Sequence, residues 1–108
     1  MEVKDSTVNI WGLEVQMQPV LKLAEKVWKD LGYDLVVTSA RDGIHSSGSL
    51  HYYGYAVDFR ASVPWGYKIF EIDQIAEGLR RGLGSDYQVI VHKSHIHVEY
   101  EKAKEWLS

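Results

Sequence analysis

The stretch Tyr87-Gln88-Val89-Ile90-Val91-His92-Lys93-Ser94-His95-Ile96-His97-Val98-Glu99-Tyr100 reads as a β-hairpin. A two-residue turn at Lys93-Ser94 makes His92 and His95 cross-strand neighbours and sets Ile90 opposite His97. Side chains alternate along a strand, so Tyr87, Val89, Val91, Ile96, Val98 and Tyr100 fall on one face, a core face. His92, His95 and His97 fall together on the other. Lys-Ser is a poor two-residue turn sequence, and the register therefore rests on the apolar alternation.

Working outward, residues 55–60 alternate in the same way. Tyr55, Val57 and Phe59 point to one side and Ala56, Asp58 and Arg60 to the other, a strand with one chemically active face. Before it lies Ser49-Leu50-His51-Tyr52-Tyr53-Gly54, so a histidine precedes the Asp58 carboxylate by seven positions. His51, Asp58 and His97 make a metal-ligand set. Three such side chains on one zinc leave a coordination position open, as a hydrolytic zinc site requires. Gly54 lets the chain turn between the first two ligands, Ala56 keeps the active face small, and Ser49 is placed to orient His51 or its loop. Zinc held by two imidazoles and a carboxylate lowers the pKa of a bound water to about 7.

Residues 1–13 read as an irregular or partly extended lead-in. A helix follows: Met17, Val20, Leu21, Ala24, Val27, Trp28 and Leu31 recur at three- and four-residue steps, Pro19 suits a first turn, and Gly32 is a stop signal. Residues 34–39 read as a buried strand and residues 40–50 as a loop. Pro64 and Gly66 interrupt any period over residues 61–71. A second helix is expected over residues 72–83, with Ile72, Ile75, Ala76, Leu79 and Leu83 inward and Gly82 and Gly84 marking its end. Residues 101–107 suit a short helix. These elements predict an α+β fold: an antiparallel sheet of about four strands, helices packed on one face and the metal site on the other.

Composition limits the alternatives. The 108 residues suffice for a single domain, and 45% hydrophobic with 25% charged residues is ordinary globular usage. A net charge of −3, with Arg80-Arg81 the only adjacent basic pair, gives no electrostatic footprint for nucleic acid. No apolar stretch approaches the length of a membrane span. Cysteine is absent, which excludes disulfides, thiolate metal sites and cysteine nucleophiles. A metal must then be held by His, Asp or Glu, and imidazole with carboxylate suits zinc better than calcium or magnesium. There is no Gly-x-Ser-x-Gly, no Ser-x-x-Lys and no phosphate-binding glycine loop, and no second carboxylate stands in a glycosidase context.

Ser49-x-His51-x-x-Gly54-x-Ala56-x-Asp58, with the later His95-x-His97, resembles the signature of the zinc peptidases of the D-Ala-D-Ala carboxypeptidase and L-Ala-D-Glu endopeptidase group. Those enzymes cut the stem peptides of bacterial peptidoglycan and share their fold with the hedgehog signalling domain. Thr38-Ser39-Ala40-Arg41-Asp42-Gly43 followed by His45 is similar to small phage-type members, and the resemblance runs from about residue 10 to residue 100. It implies zinc ligands at His51, Asp58 and His97. One branch of the group carries a glutamate base three positions before the last ligand, where this chain has Ser94, which cannot serve. Another carries a histidine five positions before it, matching His92, with His95 beside the substrate. The resemblance further implies that Arg41 grips the substrate, its guanidinium suited to a carboxylate or a developing oxyanion.

The expected reaction is hydrolysis of a stem-peptide bond, with His92, alone or with His95, moving the proton. Carboxypeptidase and endopeptidase remain equally open, and a non-catalytic zinc module of the same fold is the alternative. His45 reads as a hydrogen-bonding loop residue and Glu99 as a surface glutamate at a strand end. Tyr52, Tyr53, Tyr55 and Trp65 read as core or rim. The expected partner is the stem peptide, with no nucleic acid or membrane span, and the expected state is a monomer. Met1-Glu2-Val3-Lys4-Asp5 lacks signal-peptide character, which suggests synthesis in the cytoplasm and release, or association with a phage, to reach the cell wall.

Overall fold

The hairpin forms in the expected register. In the computed structural model, which describes residues 1–41 and 49–107, Tyr87–Val91 (β4) pairs antiparallel with His95–Tyr100 (β5), placing Ile90 opposite His97 and Val91 opposite Ile96. The His92 N–H donates to the His95 carbonyl at 2.9 Å, closing the turn over Lys93 and Ser94. Neither turn residue has a positive φ, so the turn is not of the primed type that needs Gly or Asn.

The remaining strands are Glu2–Val3 (β1), Val36–Ser39 (β2) and Ala56–Arg60 (β3), and the helices are Gln18–Asp30 (α1), Ile69–Leu83 (α2) and Lys104–Leu107 (α3). The sheet order is β1-β2-β3-β5-β4. It therefore has five strands rather than about four, and the extra one, β1, runs parallel to β2 at the edge. Every other pairing is antiparallel. The described elements build on this one sheet and form a single domain.

One face of the sheet is the core. Helix α1 starts with Pro19 in its first turn and buries Val20, Ala24 and Trp28 along one stripe. Trp28 is fully buried, its ring 5.3 Å from Phe59 of β3, and its indole N–H donates to the Tyr67 hydroxyl at 2.9 Å. Helix α2 adds Ile75, Ala76 and Leu79 to the same core, with Ile72 and Leu83 partly buried, as their spacing predicts. It begins three residues before the expected start. Ile69 and Phe70 are exposed and so add nothing to the apolar period. What fixes this end is Glu71, whose carboxylate accepts the Lys68 N–H at 3.0 Å and the Tyr33 hydroxyl at 2.6 Å.

Two expectations need correction. Gly82 does not mark the end of α2; it lies inside the helix, and a Cβ there would come within 2.5 Å of the Leu23 side chain of α1. It is a close-approach residue between the helices, and Gly84 alone is the cap. The helices also do not all lie on one face. A 3-10 turn at Glu101–Ala103 leads into α3, and Ala103 packs with Leu50 and Ala56 in a second, smaller cluster on the opposite side from Val57 and Phe59. Ala56 is thus small because Leu50 and Ala103 close over it.

Candidate metal centre

Strands β3 and β5 bring the two halves of the motif together. Asp58 pairs directly with His97, and residues paired across an antiparallel ladder share a face. His51 arrives from the turn before β3. The Ser49 hydroxyl accepts the His51 N–H at 3.2 Å, and Gly54 ends the turn with φ +82°. A side chain at Gly54 would also strike the Gly12 carbonyl, because the lead-in crosses here with the Glu14 N–H donating to the Gly54 carbonyl at 2.9 Å. Gly54 is therefore required both by its left-handed backbone and by this crossing.

The potential ligand atoms of His51, Asp58 and His97 all lie within 4.8 Å of one another. Asp58 Oδ1 is the hub, 3.2 Å from His51 Nε2 and 2.8 Å from His97 Nδ1. The outward nitrogens are both held. His51 Nδ1 is 2.8 Å from the Ala40 carbonyl, which can only accept, so Nδ1 carries a hydrogen and Nε2 is the nitrogen that faces Asp58. His97 Nε2 is 2.8 Å from Glu99 Oε1. The imidazole nitrogens and the carboxylate oxygen converge closely enough to hold a metal ion together. A metal ion fits this set, and the outer contacts to Ala40 and Glu99 orient the rings as in well-formed metal sites.

These contacts shift the titration of the groups that make them. Burial pushes Asp58 up, but hydrogen bonds from His51 and His97 outweigh it and hold the carboxyl well below the usual range. Burial likewise pushes His97 down, yet its contacts with Asp58 and Glu99 prevail and carry it up to about 9 in the metal-free chain. The His97 contact also holds Glu99 below its ordinary value.

Glu99 corrects a sequence expectation. It is buried rather than a surface residue, 7% exposed, and its other oxygen lies 3.0 Å from Lys104 Nζ. The signal for it was present: β5 lies between β3 and β4, so residue 99 sits mid-sheet, facing the same side as His97. What covers it is the C-terminal turn, which periodicity does not reveal.

His92 and His95 stand beside this group. Their rings are 4.8 Å apart, and the His92 ring is 6.1 Å from that of His97. His95 Nε2 lies 3.6 Å from Asp58 Oδ2, while Ser94 Oγ lies 3.0 Å from His95 Nδ1. Burial holds His95 below its usual value. His92 is exposed. The Arg41 side chain runs along Gly12 toward Gly54, with Nη1 4.0 Å from Glu14. His45, Asp42 and Gly43 lie outside the described residues. Among the aromatics, Tyr55 packs against Tyr100 and Trp106, Tyr53 is partly buried against Tyr52, and Tyr52 and Trp65 are exposed.

A cleft of about 390 Å³ opens onto the site, lined by Thr38, Ser39, Asp58, Ser94 and His95 and continuing to Lys4, Arg60 and Trp65. No described helix is long and apolar enough to cross a membrane. Searches with the whole chain find no matching protein-family model, curated protein or solved structure.

Proposed function

We propose that this chain is a zinc peptidase of the D-Ala-D-Ala carboxypeptidase and L-Ala-D-Glu endopeptidase group, hydrolysing a peptide bond in a peptidoglycan stem. The observation that carries the reading is the convergence of His51, Asp58 and His97, with both outer imidazole nitrogens held and a cleft opening onto Asp58 and His95. A zinc ion at that donor set supplies Lewis-acid polarisation of a carbonyl and makes a water acidic enough to attack at neutral pH.

The chain's own residues supply the rest. His92, exposed and on the ligand face, takes the proton that the water loses as its oxygen joins the carbonyl carbon. As the C–N bond breaks, the same imidazole returns a proton to the leaving amine. His95, whose pKa burial lowers, lines the cleft beside it. Arg41 is the residue proposed to grip the substrate, its guanidinium suited to a carboxylate or a developing oxyanion. The protein acts as a monomer on the cell wall.

The test is digestion of purified muropeptides by the zinc-loaded protein, with products identified by mass. Shortened stems that disappear on adding a chelator are expected. His92→Ala is expected to keep its zinc and lose about 10²–10⁴ in rate. Zinc bound with no product from any stem would instead favour a binding module.

A further inference from the structure

The cleft has a second end that the peptidase chemistry does not use. Arg60 and Asp58 lie two positions apart on the same face of β3, a spacing of roughly 7 Å along the strand. The Arg60 guanidinium stacks over the Trp65 ring at 3.6 Å, and Trp65 is itself 61% exposed. Stacking occupies one face of the guanidinium and leaves its in-plane N–H donors free, a geometry matched to the two oxygens of a carboxylate. Among the described residues no carboxylate lies within ion-pair distance of Arg60. Lys4, from the edge strand's end, lines the same wall; its nearest acid is Asp5 at 4.0 Å. The one carboxylate lining the cleft, Asp58, is engaged by three histidines. This end of the cleft is therefore cationic and pre-shaped, and among the described residues the Arg60 guanidinium has no carboxylate partner.

We infer that Arg60, stacked on Trp65 and supported by Lys4, is a substrate-carboxylate subsite that selects stem peptides with a carboxylate within about two residues of the cleaved bond. The inference rests on the peptidase reading. Two carboxylates have this chemistry: the C-terminal one, and the α-carboxylate of the γ-linked glutamyl residue.

The test is calorimetric binding of three synthetic stem pentapeptides to the zinc-loaded protein, with hydrolysis followed in parallel. One peptide has both carboxylates free, one is amidated at the C-terminus, and one is amidated at the glutamyl α-carboxylate. One of the amidations should weaken binding about tenfold or more, and which one it is identifies the source. In Arg60→Gln the ratio of acid to amide affinity should fall to near one. Arg60→Lys, which keeps the charge but loses the planar fork, should fall between. Equal affinity for all three peptides, no binding of any, or a preference that survives in Arg60→Gln would overturn the subsite. Discrimination by Arg60 without any hydrolysis would leave the subsite standing and remove the peptidase reading. Hydrolysis without discrimination would do the reverse.

Discussion

The two faces of the sheet are built from the same strands by opposite rules. On one face Val57, Phe59, Ile96 and Val98 meet Trp28, Ile75 and Leu79 in an apolar core, where the Trp28 indole N–H donates to the Tyr67 hydroxyl. On the other, Asp58, His97 and Glu99 alternate with those same residues and hold one another in a polar chain that runs from the Ala40 carbonyl to Lys104. The first face stabilises by removing carbon from water. The second gathers buried polar and charged groups that hold one another by hydrogen bonds and could hold a metal ion. Stability and chemistry are thus separated by one residue of strand phase, and changes on the two faces should give different signatures.

The largest stability loss is expected on the core face. Trp28→Ala should destabilise by about 3–5 kcal/mol in denaturant unfolding, because it leaves a cavity against Phe59 and orphans the Tyr67 hydroxyl. Next comes Gly54→Ala, at about 1–3 kcal/mol from the left-handed backbone alone, with further loss from the clash with Gly12. Unlike Trp28→Ala, it should also lower metal affinity, since it displaces the turn that carries His51.

On the site face the signature reverses. Glu99→Gln should leave the fold intact and weaken metal binding about 10–100-fold, measured by competition with a chromophoric chelator. An unchanged affinity would mean that Glu99 does not orient His97.

A pH series separates the faces further. His97 is raised in the folded, metal-free chain, so its stabilisation is fully present below its unfolded value, about 6.5, and is lost as pH rises through about 9. Asp58 and Glu99 are depressed, so theirs is present above the unfolded carboxylate range and is lost as pH falls. Melting of the metal-free protein should therefore peak between these limits. With zinc present the alkaline loss should vanish, because a metal held by His97 would take the place of its proton. Trp28→Ala should lower the whole curve without moving its shape.

The parts of this arrangement legible in the sequence are those that local alternation encodes. Register in the hairpin, the two faces of β3 and the stripe of α1 all follow from periods of two and 3.6, and they place Asp58 and His97 on one face, while His51 is read from its motif spacing. What stayed hidden depends on non-local packing. Strand β1 is two exposed residues with no period of their own, held by pairing with β2. Gly82 looks like a helix stop until Leu23 lies against it. Glu99 looks like a surface residue until Lys104 folds over it. The cationic end of the cleft joins Lys4, Arg60 and Trp65, which no motif links.

Calorimetric titration of zinc into the metal-free protein tests the central claim, that the polar face is a metal centre. One zinc per chain is predicted for the native sequence, with binding lost in Asp58→Ala while the far-ultraviolet circular dichroism stays native. A native chain that binds no zinc, or an Asp58→Ala chain that binds it undiminished, would contradict the account.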